Sequence, residues 1–371
     1  MYELIQIGER SYYIQSPAKI GIYLANDQEV YLIDSGNDKD AGRKIRKILE
    51  QNGWSLKAIL NTHSNADHIG GNRYLQQQYG CDIFANGMEA AFTKYPQLEP
   101  ALLYGGYPFQ DLRHKFLMAV PSEAKELTDS GFPKEIEVIP LPGHFLDMVG
   151  FRTPDQTVFL ADCLSSAAAL EKYQLTFIYD VEAYLNTLER VAAMQAEIFV
   201  PSHAEPVKDI RPLAECNRKK VLEIADHITE ICREPITFEA LLQRLFSDYQ
   251  ITMTYEQYVL VGSTVRSYLS YLKDSGKIEG YVENKFRYAE RKDTALILKF
   301  IKELAAYEKM EHEVIATEAV LEEWIFDKKK AEVIFAVVDK EEIGFALFFH
   351  NFSTFLGRAG LYLEDLYVKP K

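Results

Sequence analysis

The chain has 371 residues, 47% of them hydrophobic and 26% charged, with a formal net charge of -14. That suits a folded protein of two or three domains and excludes binding to nucleic acid or anionic lipid through overall charge. Cys81, Cys163, Cys216 and Cys232 form no CxxC pair, so neither a disulfide framework nor a zinc ribbon is expected.

The opening MYELIQIGERSYYIQ is polar and alternating, unlike a signal peptide, and no apolar run reaches the ~20 residues of a membrane span. A cytoplasmic protein is expected. IGIYLAND and EVYLIDSG pattern as strands, DKDAGRKIRKILEQNGW as a helix ending at Asn52-Gly53, and LKAILNTH as another strand. Residues 86–130 are aromatic, rich in Pro and Gly and without a clear period. They read as an insertion that either covers a site or packs on the surface. Its Tyr104 and Tyr107 are candidate oxyanion donors or packing residues. Strand patterns return from EIEVIPLPGHFLDMVGF to IFVPSHAEP. NRKKVLEIADHITEICRE, TFEALLQRLFSDY and YVLVGSTVRSYLSYLKDSG then read as helices, and KIEGYVENKFRYAE as a hairpin. Three helices and a hairpin predict a winged-helix-like module over 216–285, whose balanced charge argues against DNA binding.

The chemistry concentrates in NTHSNADHIGGN, residues 61–72, where His63, Asp67 and His68 lie close together. His144, Asp162 and His203 each follow an apolar strand-like run. Histidines and aspartates gathered at strand ends match the donors that zinc and other first-row metals take. This pattern resembles the metallo-β-lactamase-fold hydrolases, whose signature is T-H-x-H-x-D-H followed by separate His, Asp and His positions. The resemblance covers about residues 1–215 and implies a four-layer αββα sandwich of the α/β class. It implies one metal at His63, position 65 and His144, a second at Asp67, His68 and His203, and Asp162 bridging both. Asp67 would also orient the attacking water. The implied cofactor is one or two divalent ions, zinc first and iron or manganese as alternatives. The implied activity is hydrolysis of an ester, thioester, lactone or phosphoester by a hydroxide that the metal provides.

Position 65 departs from that pattern. Asn65 offers zinc only a neutral carbonyl oxygen, a weaker ligand than imidazole. Three outcomes stay open: a binuclear site using Asn65, a mononuclear site on the Asp67/His68/His203 side, or no metal. Cys163, next to Asp162, reads as a small buried residue. A non-catalytic binding protein on the same scaffold is the alternative function.

From residue 286, helical TALILKFIKELAAYEKM and TEAVLEEWIF precede the strands AEVIFAVVD, EIGFALFFH and GLYLEDLYVK. GFALFFHNFSTFLGRAGLYLEDLYVKP resembles the first half of a GNAT-type N-acetyltransferase, near the polyamine acetyltransferases. The Gly-rich turn that would cradle acetyl-CoA is not present by Lys371, so acetyltransferase activity is not expected of these residues; a bifunctional protein completed elsewhere is a further alternative. Glu364 and Asp365, where that family lines its acceptor site, read as strand residues. A small-molecule substrate and a homo-oligomer are expected, with no nucleic-acid or membrane partner.

Overall fold

The computed structural model describes residues 2–280, 285–338, 340–355 and 357–370. They fall into two compact units, Met1–Glu279 and Gly280–Lys371.

The first unit holds two sheets. Seven strands follow one another in chain order: β1 (Glu3–Gln6), β2 (Ser11–Gln15), β3 (Ile20–Leu24), β4 (Glu29–Ile33), β5 (Ser55–Leu60), β6 (Asp82–Ala85) and β7 (Lys125–Glu126). The first four pair antiparallel and the rest parallel. α1 (Lys39–Gln51) joins β4 to β5. α2 (Ala66–Ile69) and α3 (Asn72–Tyr79) join β5 to β6, and α4 (Met88–Lys94) and α5 (Leu98–Tyr104) lie between β6 and β7. The second sheet contains β8 (Glu137–Pro140), β9 (Val149–Arg152), β10 (Thr157–Ser165) and β11 (Ile198–His203), in the order β11-β10-β9-β8. α6 (Ala167–Tyr173) and α7 (Val181–Ala192) cross from β10 to its parallel neighbour β11. α8 (Arg211–Ile231), α9 (Phe238–Asp248) and α10 (Tyr255–Asp274) follow.

Side-chain alternation builds the layers. Tyr13, Tyr23 and Ile33 of the first sheet meet Phe151, Phe159 and Val200 of the second in one apolar cluster. On the outer face of the first sheet, Ile14, Ile22 and Leu32 pack against Ile45 and Leu49 of α1 and Leu75 of α3. Val158, Leu160 and Phe199 pack against Leu188 of α7 and Ile224 of α8. The order is helix, sheet, sheet, helix, as the αββα expectation has it. Asp38 starts α1 by accepting from the backbone N–H groups of Asp40 and Ala41, both at 2.9 Å.

Two stretches differ from the sequence reading. Within residues 86–130, α4 and α5 form. Each has seven residues and neither has a side-chain cap, so they carry too few turns and signals to show a period. The hairpin read over residues 277–290 has its centre, 281–284, outside the described residues. Its second half also reads as the first strand of the segment from residue 286, and there β12 (Phe286–Tyr288) pairs with β13 (Glu332–Val338) of the second unit.

That second unit is an antiparallel sheet in the order β12-β13-β14-β15, with β14 (Glu341–Ser353) and β15 (Arg358–Val368) its longest strands. α11 (Thr294–Glu308) packs Ile297 and Phe300 onto Val333, Phe335 and Phe345. α12 (Glu318–Leu321) runs on into a π-helical turn over Glu322–Asp327. Among the described residues, no helix is long and apolar enough to cross a membrane.

Candidate metal centre

Strand β5 ends at Leu60 and delivers the motif directly. Asn65 is the N-cap of α2, and its backbone carbonyl accepts from His68 N at 2.9 Å and Ile69 N at 3.2 Å. This one-turn helix holds Asp67 and His68 together, while His63 lies just before it. The two glycines that follow have a packing reason. A Cβ on Gly70 would stand 2.2 Å from Asn37 C, and one on Gly71 would stand 2.3 Å from Ser35 O. Only glycine lets the loop after β4 approach so closely.

The other donors come from the second sheet. His144 follows β8, behind Gly143 at φ +123. Asp162 lies in β10 just after Ala161, a non-glycine residue at φ +51, where the pairing with β11 shifts register. His203 closes β11. Two groups of donor atoms result, each within 4.8 Å: Asp67, His68, Asp162 and His203, and His63, His144 and Asp162. Asp162 belongs to both. Its Oδ1 is 3.1 Å from His68 Nε2, and its Oδ2 is 3.1 Å from His203 Nε2 and 3.7 Å from His144 Nε2. Asp67 Oδ2 stands 3.6 Å from His203 Nε2 and 3.7 Å from His68 Nε2.

Tautomers follow from the outer partners. Phe177 O and Pro17 O can only accept, so Nδ1 of His144 and of His203 donates to them. Asp34 likewise accepts from His68 Nδ1. The Thr62 hydroxyl gives its proton to Asp34, so it accepts from His63 Nδ1. Each ring therefore presents Nε2 to the centre.

The charges conflict unless something positive is bound. Burial, with His68 nearby, holds His63 neutral, its pKa well below the usual value. Burial lowers His144 too. Burial also works against charge on His68, but Asp162, Asp67 and Asp34 outweigh it and raise its pKa. Asp162 lifts His203 to about 10. Burial opposes ionisation of Asp67, yet His68 and His203 take it down to about 2. Protons on His68 and His203 thus balance two clustered carboxylates in the metal-free protein. His63 Nε2 is buried and, among the described residues, makes no hydrogen bond, while His68 Nε2 and Asp162 Oδ1 are buried 3.1 Å apart. Buried nitrogen and carboxylate donors turned to one point fit a divalent metal.

Asn65 stands apart from this pattern. Its Nδ2 donates to Glu99 Oε1 at 2.8 Å. Glu99, from α5 in the insertion, is buried, and burial raises its pKa well above the carboxylate range despite that bond. A second buried carboxylate, Glu89 of α4, accepts from Ser64 N and Oγ and from Asp147 N.

Asp34, Glu89 and Glu99 were not singled out in the sequence, and Thr62 only as the first letter of the motif. Asp34 carries the same signal as Asp162, a carboxylate closing an apolar strand. The two glutamates sit in an aperiodic stretch and carry none. Tyr107 is exposed, and its hydroxyl accepts from Arg113 at 2.6 Å; the Tyr104 ring packs on Phe109. Cys163 lies in the core between the second sheet and α7, where burial raises its thiol pKa. Glu364 and Asp365 belong to β15 of the second unit.

Two stacked sheets, with donors from both meeting at one buried point, define an α/β protein built around a candidate binuclear metal centre. Residues 21–203 match the family model described as the metallo-beta-lactamase superfamily, and they form a domain of that superfamily. A hydroxyacylglutathione hydrolase of Bradyrhizobium sp. (strain ORS 278) is 31% identical over 169 residues, 45% of this chain and 57% of that protein. One from Brucella anthropi is 26% identical over 206 residues, 54% of this chain and 70% of that protein. The chain thus spans little more than half the length of the first of these relatives. Among solved structures, a metallo-beta-lactamase family protein of Thermus thermophilus is similar with a TM-score of 0.53 and 17% identity. That match covers 78% of this chain and 95% of the other. A beta-lactamase domain protein of Burkholderia ambifaria gives 0.53 at 14% identity, covering 77% and 90%. These two share the fold.

Proposed function

We infer that residues 1–215 act as a metal-dependent hydrolase on an ester-like bond, with a thioester as the first substrate class. The observation that carries this is Asp162, shared by two donor groups that converge from both sheets. Asp67, His68, Asp162 and His203 would hold one ion, and His63, His144 and Asp162, with position 65, the other. Zinc is the first expectation. A divalent ion there supplies Lewis acidity and a coordinated water with a pKa of about 7. Asp67, ionised and half-exposed, would orient that water through a hydrogen bond to its carboxylate. The thioester class comes from the hydroxyacylglutathione hydrolases that the chain is similar to. Phe177, whose carbonyl holds His144, also lines a cavity of about 740 Å³ whose wall mixes Leu175, Ile251 and Val261 with Lys172, Gln250 and Glu256; none of the candidate ligands lines it.

The finer assignments extend the same reading: α8–α10 as a winged-helix-like accessory module, residues 286–371 as an N-acetyltransferase-like half, a cytoplasmic location and a homo-oligomer. The test combines metal quantitation with assays of a hydroxyacylglutathione thioester beside simple esters, lactones and phosphodiesters. Asp67→Asn and His203→Ala should each lower turnover by at least about 100-fold with the circular dichroism unchanged. Turnover surviving both changes excludes this centre. A metal-loaded protein inert to every class favours a binding role on the same scaffold.

A further inference from the structure

Every histidine at the centre is gripped from behind by an oxygen: His63 by Thr62 at 3.0 Å, His68 by Asp34 at 2.8 Å, His144 by Phe177 O and His203 by Pro17 O, both at 3.1 Å. Metal sites use such outer hydrogen bonds to fix which ligand atom faces the ion. Asn65 repeats the arrangement. Glu99 accepts from its Nδ2 at 2.8 Å, and among the described residues nothing donates to its Oδ1.

For an amide this grip matters more than for imidazole. Only the carbonyl oxygen is a useful ligand, and a freely rotating carboxamide presents either end. With Glu99 accepting from Nδ2, Oδ1 is the amide atom left free of that contact. Glu99 is otherwise an expensive residue to keep there. It is 5% exposed, and among the described residues no lysine, arginine or histidine pairs with it. Among the described residues its side-chain hydrogen-bond partner is Asn65. A helix that needed only packing at this point would carry an apolar side chain.

We propose that Asn65 is a metal ligand through Oδ1 and that Glu99 is the positioning residue that selects this oxygen, completing the first half-site as His63, Asn65, His144 and Asp162. This rests on the metal-centre reading above. The insertion is then part of the site, because α5 supplies the residue that makes an asparagine serviceable. A neutral carbonyl oxygen in place of an imidazole makes the donor set harder, so the first half-site should accept Mn²⁺ or Fe²⁺ more readily against zinc than a three-histidine site does.

Metal analysis of the whole chain, loaded with Zn²⁺ or Mn²⁺ and dialysed, tests this. Wild type should retain about two ions per chain and Glu99→Ala about one. Glu99→Gln keeps an acceptor oxygen and should retain two. The exchange Asn65→Asp with Glu99→Gln reverses donor and acceptor across the same bond and should likewise retain the second ion. A purely structural Glu99 predicts a lower unfolding temperature in Glu99→Ala with both ions kept, and that result overturns the proposal. If Glu99→Ala does not fold, Asn65→Ala carries the test, since it removes the ligand oxygen without touching α5; both ions retained there also overturns it. A wild type holding one ion refutes the proposal while leaving the second half-site. A wild type holding none refutes the metal-centre reading itself.

Discussion

Glu89 shows how much of this centre depends on residues that touch no candidate ligand nitrogen. It is fully buried, and its two oxygens tie Ser64, between His63 and Asn65, to Asp147, just beyond His144. Burial outweighs these three donors and lifts its pKa from 4.5 to about 7. The folded protein therefore keeps a proton that the unfolded chain loses between those values. Stability from this group is complete below pH 4.5 and declines as pH rises through about 7. A shift of that size amounts to roughly 3 kcal/mol. In metal-free protein, urea unfolding of wild type should lose stability across that window, and Glu89→Gln should lose less. Parallel pH profiles would show that Glu89 does not titrate there. His63, Asp67, His68, His144, Asp162 and His203 were all legible in the sequence, because each ends or follows an apolar strand and their order matches a known pattern. Asp34 also closes an apolar strand but has no place in the ligand order of that pattern. Glu99 was not legible. Its meaning depends on a contact with Asn65 made across 34 residues of chain, and no local pattern records that.

At the scale of elements, the one-turn helix α2 is too short to be stable by itself and is fixed by what it packs against. Ser35 N donates to His68 O at 2.7 Å, and Gly71 N to Gly36 O at 3.3 Å, so the loop after β4 clamps the helix from one side. Gly70 is where the two backbones come closest, at an ordinary helical φ of -62. Conformational freedom is not what glycine provides there; the missing Cβ is. Gly70→Ala should therefore destabilise the fold by about 1–3 kcal/mol and push His68 out of register. The expected result is a lower midpoint in urea together with loss of a metal ion; a variant with unchanged midpoint and metal content would refute the close-approach argument. The strands and long helices were readable because their apolar periods run for many residues. α4 and α5 were not, since each has seven residues and Pro100 interrupts the pattern within α5.

At the scale of the molecule, every candidate ligand lies in the first unit, and the second unit has its own core around Phe300, Phe335 and Phe345. The overall charge of -14 sets neither fold; it keeps the surface hostile to polyanions. What the charge does not protect is β15. Among the described residues this eleven-residue strand pairs only with β14, and Leu361, Leu363, Leu366 and Val368 are half or more exposed. A long apolar edge with unpaired backbone groups is a template for another strand. Arg358 at one end and Glu364 and Asp365 towards the other give an antiparallel pairing of two copies opposite charges across the ladder. The whole chain should therefore self-associate through this edge, in line with the homo-oligomer expected from sequence. Lysines are the usual guard on such edges, so Leu361→Lys with Leu363→Lys should return the protein towards a monomer while leaving its metal content unchanged. Light scattering across a concentration series decides it: equal masses for wild type and the double variant would show that the edge is not the contact.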